Sequence, residues 1–276
     1  MKAKTRLRSL GAAAGLAVCL SLVPTTQAHA AILVPCGNIT ALRAAINAAN
    51  ATGEDIALAP FCTYTLTQVD STLGGSGLPV ISGDVTIGGL NTTIARSSAA
   101  NTPFFRIFHV DNGGALALRG INVRNGLTGG YGGGIENHGT LDVRGGAITG
   151  NTGTNAGGVY NAVDGDATLS ATTVSGNRAS VFDGGGILNT GTLRLNSTTV
   201  QGNTAVKRGG GLGVFDGSAT LIASRVTGNT ASTADGGLGG GIWEAPASTV
   251  TLLFSTVTNN VGGNCRPAGS VPGCSG

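Results

Sequence analysis

Asp111 and Glu136 are the two side chains in this sequence best placed to do chemistry together. They stand 25 positions apart, one step of a repeat. Its apolar columns, Leu118, Val143, Leu169, Leu195, Leu221, Leu252 and Val123, Ile148, Val174, Val200, Val226, Val257, advance by 25, 26, 26, 26 and 31 residues. If each step is one coil of a stack, the two carboxylates are neighbours with Cα atoms about 4.8 Å apart. Carboxylates that close cannot both ionise freely, so one pKa should rise. A proton donor and a nucleophile or base at about 5 Å is the arrangement of retaining glycoside hydrolysis. His138 lies two residues beyond Glu136, and Arg119 and Arg144 form a second outward pair on the same two steps. Asp111, Glu136, His138 and Arg144 are therefore the candidate catalytic set. The competing explanation is a solvated face, where charged residues merely occupy the outward positions of strands.

The same outward column reads Asp111, Glu136, Tyr160, Leu188, Gly213, Trp243. Tyr160 and Trp243 are scarce aromatics three steps apart, about 14 Å at the interstrand spacing. Exposed aromatic faces stack on sugar rings, so Tyr160 and Trp243, with Arg119, are the candidate ligand contacts. No metal site is expected. Tyr160 stands where a third carboxylate would complete a cage, and the glycines lack the aspartates of a calcium-binding nonapeptide. A further outward array, Ala147/Thr149, Thr173/Ser175, Thr199/Gln201, Arg225/Thr227 and Thr256/Thr258, resembles an ice-binding Thr-x-Thr grid, but Ala147, Gln201 and Arg225 break its lattice.

The elements that must hold these residues follow from the period. A fixed repeat of this size means stacked units, each burying its apolar face against the next. The block reads Gly-Gly-Gly-Ile-x-Asn, then Leu-x-Leu, then Val-x-Gly-Asn, most clearly from Gly184 to Asn203. Leu193-Arg194-Leu195 alternates with period two, and Thr198-Thr199-Val200-Gln201 is rich in β-branched residues, both strand signatures. Glycine runs at the block boundaries supply sharp turns. No apolar run reaches helical length. Each block is one coil of short strands, and the coils stack in parallel. The columns Asn112, Asn137, Asn161, Asn189 and Asn151, Asn177, Asn203, Asn229 suit internal amide ladders. Phe104, Phe105 and Phe108 are expected in the core.

These motifs resemble those of the secreted right-handed parallel β-helix proteins of bacteria, with the pectate-lyase-like fold and repeats similar to polymorphic outer-membrane proteins. The resemblance implies an all-β, single-stranded right-handed parallel β-helix of about seven coils with a short N-terminal capping helix. Lyases of this fold use basic residues and Ca²⁺ held by carboxylates. Ca²⁺ is thus the one cofactor to consider, and only for a lyase; otherwise none is expected. The helix matches the family's cap, with Leu42-Arg43-Ala44-Ala45-Ile46 and Ala49-Asn50; Ala44 replaces the usual glutamate. Thr40 is the expected cap residue and Gly53 the end.

Residues 1–30 read as an export signal: Lys2, Lys4, Arg6 and Arg8, an apolar stretch from Leu10 to Val23, and Ala28-His29-Ala30 before the cleavage point. A cap at 31–65, a β-helix at 66–262 and a C-terminal cap at 263–276 complete the expected organisation, with no translocator barrel or wall anchor. Four of the sixteen basic residues lie in the signal, leaving twelve against thirteen acids, a net charge near −1. No basic patch argues for nucleic acid, and no membrane insertion is expected once the signal is removed. Cys36, Cys62, Cys265 and Cys274 are an even set in an exported chain. Four cysteines allow three pairings; their grouping at the two ends favours Cys36–Cys62 and Cys265–Cys274.

The expectation is a monomeric, extracellular scaffold that binds a polysaccharide or cell-surface ligand. A polysaccharide lyase or glycoside hydrolase is the alternative, and ice binding a remote third.

Overall fold

A computed structural model describes residues 30–70, 75–232 and 239–275. The export signal expected at 1–30 lies outside the described residues except for Ala30. No helix among the described residues is long and apolar enough to cross a membrane.

The chain is an all-β parallel solenoid with one short helix near its N-terminus. It coils through four faces. The first carries the three-residue strands Phe108–Val110, Ile135–Asn137, Val159–Asn161, Ile187–Asn189, Leu212–Val214 and Ile242–Glu244, closed by Cys265–Arg266. The second carries the Leu-x-Leu strands, Thr140–Arg144, Asp166–Ser170, Thr192–Asn196, Ser218–Ile222 and Thr249–Leu253. The third carries Ala147–Thr149, Thr173–Ser175, Thr199–Gln201, Arg225–Thr227 and Thr256–Thr258, so the Thr-x-Thr grid does lie in register. A narrow fourth face is built of two-residue strands such as Arg178–Ala179. Asp84–Arg96 and Ala115–Arg124 are long strands that bend across the second and third faces.

Ile32–Val34 and Ile56–Leu58 pair with each other and then with Asp84–Arg96, extending the second-face stack. The solenoid therefore has about nine turns rather than seven. These first rungs carry neither the glycine run nor the asparagine, so the repeat does not announce them.

Leucine, isoleucine and valine columns fill one apolar core from Val34 to Val271. Alternation follows from strand geometry, in which successive side chains take opposite faces: Ile135 and Asn137 are fully buried while Glu136 between them faces out. Phe105 and Phe108 are core, as expected. Phe104 is exposed, because its neighbour Phe105 takes the inward position.

Two amide ladders run inside this core. Asn151, Asn177, Asn203 and Asn229 each pass an Nδ2 hydrogen bond to the Oδ1 of the next coil, at 3.0, 2.9, 2.9 and 3.0 Å, the last reaching Asn260. Each Oδ1 also accepts a backbone N–H from the coil before, as Asn177 does from Asn151 at 3.0 Å. Each Nδ2 also donates to a carbonyl behind it, as Asn177 does to Ile148 at 2.9 Å. The second ladder, Asn137 to Asn161 to Asn189, has steps of 2.7 Å. Asn112 is not part of it: Val110 pairs with Asn137. A third ladder of hydroxyls, Thr198, Ser224 and Ser255, links backbone N–H groups to the next coil. The glycines before the first-face strands make room for this. A Cβ on Gly186 would crowd the Asn203 amide and the carbonyl oxygen of Gly211.

Both ends are covered. The helix Ile39–Thr52 buries Leu42, Ala45, Ile46 and Ala49, and Gly53, at φ 72°, ends it in the left-handed conformation that glycine adopts without strain. Its cap is Asn38, whose side chain accepts the Ala41 N–H at 2.9 Å, rather than Thr40, which lies inside the first turn. Asn50 ties the helix to the stack through the Val80 carbonyl and the Ser82 and Gly83 N–H groups. Disulfides join Cys36 to Cys62 and Cys265 to Cys274.

Replacing Asn177 with Ala strips the Asn151 N–H and both amide links of their partners, and should cost about 2–4 kcal/mol. Gln201→Ala, at an exposed outward position, should change stability by less than about 0.5 kcal/mol. Urea midpoints of the two variants would check the contrast.

Candidate functional site

The first face turns the middle residue of each three-residue strand away from the core, half-buried in some rungs and covered by neighbouring side chains at Leu188 and Gly213. In register these are His109, Glu136, Tyr160, Leu188, Gly213 and Trp243. Five of the six are those expected from sequence. The first is not: His109, rather than Asp111, faces Glu136. On this rung the inward position after the outward residue holds Val110 instead of asparagine, so alignment on Asn112 shifts the rung by two. Asp111 sits exposed in the following turn, where its Oδ1 accepts the N–H of Asn112 at 2.9 Å.

Glu136 is the centre of a part-buried charge cluster. Its Oε2 lies 2.9 Å from Nη1 of Arg106 and 3.1 Å from Nδ1 of His109, and its Oε1 lies 3.3 Å from Nε2 of His138. Its side chain is 12% exposed. Burial alone would raise the Glu136 pKa. The His109 hydrogen bond, the charges of Arg106 and His109, and the His138 hydrogen bond together overcome that, and the pKa is lowered. Glu136 is therefore a carboxylate at neutral pH and does not serve as a proton donor. The two-carboxylate arrangement is replaced by one carboxylate between Arg106 and two imidazoles. Arg106 is itself buried, and its Nε donates to the Tyr131 carbonyl at 3.2 Å.

Aromatic contacts continue along the face. The His109 and His138 rings are 5.4 Å apart, His138 meets Tyr160 edge-on at 6.2 Å, and Tyr131 packs on Tyr160 at 4.6 Å. Beyond Tyr160 an open groove of about 400 Å³ is lined by Tyr131, Asn155, Tyr160, Phe182, Asp183, Leu188, Thr190, Arg208 and Phe215. Arg208 clasps Asp183 with Nε and Nη2 at 3.0 and 2.9 Å. Its guanidinium lies 4.8 Å from the ring of Phe215 and 5.2 Å from that of Trp243, within cation–π range. Lys207 sits 4.6 Å over Phe182. Trp243 is thus half-buried beneath Arg208.

Arg119 and Arg144 do not join this site. They are in register on the second face, where both approach Asp142, at 3.8 and 2.9 Å. The turn at Gly139 carries the chain off the first face before Arg144 is reached. Of the expected residues, Glu136, His138, Tyr160 and Trp243 share one face, whereas Asp111 is exposed in a turn and Arg119 and Arg144 lie elsewhere.

Arg106, His109, Tyr131, Phe182, Asp183, Arg208 and Phe215 went unmarked in the sequence. Two signals were present. Asp183 and Arg208 are 25 residues apart, one step of the repeat, and the chain has three histidines, two of them His109 and His138.

The lowered Glu136 pKa stabilises the fold above its unfolded value of about 4.3, and that contribution is lost as pH falls through the folded value. Melting temperature should therefore drop more in wild type than in Glu136→Gln as pH falls below about 4.3, the two curves converging once the wild-type carboxylate is protonated. Parallel curves would contradict an ionised Glu136 bound to Arg106 and the imidazoles.

No family model and no curated protein matches the sequence. Among solved structures, the chain is similar to that titled "Crystal structure of pectate lyase Pel9A", with a TM-score of 0.54 and 17% sequence identity over 78% of this chain. The chain spans 58% of that protein's length. The likeness is one of fold.

Proposed function

We propose that the mature chain is an exported, monomeric solenoid that binds an extracellular polysaccharide along its first face. The carrying observation is the groove beyond Tyr160. Tyr131, Tyr160, Phe182 and Phe215 line it, Trp243 lies beyond under Arg208, and Asp183 and Arg208 supply paired polar groups. Aromatic rings beside fixed hydrogen-bonding groups suit pyranose rings, which have an apolar face and a polar rim. The fold likeness to a pectate lyase is in keeping with this, and disulfides at both ends suit an oxidising, extracytoplasmic setting.

The Glu136 cluster favours one second reading, a polysaccharide lyase in which the carboxylate orients His109 or His138 as a base. On that reading, unsaturated product accumulates from a uronate polymer and is lost in Glu136→Gln.

Binding to a panel of acidic and neutral polysaccharides, followed by affinity electrophoresis and calorimetry, tests the proposal. Tyr160→Ala should weaken binding about tenfold, the worth of one aromatic contact, while Arg119→Ala on the second face should leave it unchanged. Equal loss in both variants, or no binding across the panel, would remove the groove from consideration.

A further inference from the structure

We propose that His109, Glu136 and His138 form a binding site for a divalent transition-metal ion of the zinc class. Independently of any glycan, the three side chains offer Nδ1, a carboxylate oxygen and Nε2 within 4.8 Å of one another. Nδ1 of His109 lies 3.1 Å from Oε2, and Nε2 of His138 lies 3.3 Å from Oε1 of the same carboxylate. Ligands at about 2.0–2.1 Å from a tetrahedral ion are about 3.3 Å apart, so each imidazole already stands at that distance from one carboxylate oxygen, and a bound ion draws one oxygen towards both nitrogens. An ion replaces the protons that otherwise bridge imidazole and carboxylate.

The ligand chemistry agrees with the spacing. Two imidazoles and one carboxylate suit zinc, nickel, cobalt or copper, whereas calcium and magnesium take oxygen ligands. The cluster is reachable from solvent through His138, whose side chain is 36% exposed. Arg106, at 2.9 Å from Oε2, holds the carboxylate in place as an outer partner of the kind that orients metal ligands. Histidine is scarce: of three in the chain, one is His29 and the other two meet on adjacent coils beside one glutamate. A charge network without an ion needs no such convergence of imidazoles on opposite oxygens of one carboxylate.

The test uses the mature chain without an affinity tag, stripped with chelator and titrated with Zn²⁺ and with Co²⁺. The expected result is one ion per chain, d–d absorption from bound Co²⁺, and at least about tenfold weaker binding in His109→Ala and in His138→Ala, with unchanged circular dichroism. Gln201→Ala, at an exposed position on the third face, should bind the ion as wild type does. Should His109→Ala fail to fold, the more exposed His138→Gln decides alone. Absence of saturable binding, wild-type affinity in the His138 variants, or displacement of the ion by Ca²⁺ would overturn the proposal.

Discussion

A buried asparagine amide that bonds to the same amide one coil away is the interaction on which the rest of this structure depends. The apolar columns alone would let coils slide, since one leucine packs on another in many positions. An amide in the core has no such freedom, because leaving it unpaired costs about 1–3 kcal/mol per group. From Asn177 to Asn260 every amide oxygen takes a side-chain and a main-chain N–H from the preceding coil, so a slip by one residue breaks several bonds at once. The hydroxyl ladder through Thr198 and Ser224 does the same at another corner. The glycines that precede each first-face strand follow from this, as the amide and the next backbone fill the space of a Cβ.

Register in turn decides which outward residues are neighbours. Three-residue strands project one side chain per coil, so the first face is a single file from His109 to Trp243. The corners between faces vary in sequence and length, and from them Arg106, Tyr131, Phe182, Asp183 and Arg208 reach onto that file. A regular inner lattice thus carries an irregular outer surface, with a polar cluster around Glu136 at one end and an aromatic groove at the other.

Much of the lattice was legible in the sequence. The 26-residue period, the inward Ile and Asn of Ile135–Asn137 and Ile187–Asn189, the helix face of Leu42, Ala45, Ile46 and Ala49, and both disulfide pairs all appear as expected. Legibility failed where the lattice does. The second ladder ends at Asn137, whose Oδ1 has no donor because Val110 takes the next place. Nothing in the spacing then distinguishes Asn112 from a ladder member, and the whole rung is read two residues late, putting Asp111 where His109 belongs. The site residues at corners were invisible for a related reason: Tyr131 and Phe182 occupy no fixed column, and only tertiary packing brings them to Tyr160. The first two rungs, Ile32–Val34 and Ile56–Leu58, lack the motif altogether, and the coil count fell short by them.

The register of His109 against Glu136 supports the whole account of the site, and cross-linking measures it directly. Opposed residues on adjacent coils have Cα atoms about 4.8 Å apart, within the roughly 4.4–6.8 Å that a disulfide spans. A pair offset by two positions is about 8 Å apart and cannot be bridged. In the double variant His109→Cys/Glu136→Cys, mild oxidation should close an intramolecular disulfide; in Asp111→Cys/Glu136→Cys it should not. Closure of the second pair with the first left open would contradict the register, and with it the cluster of Arg106, His109 and His138 around Glu136.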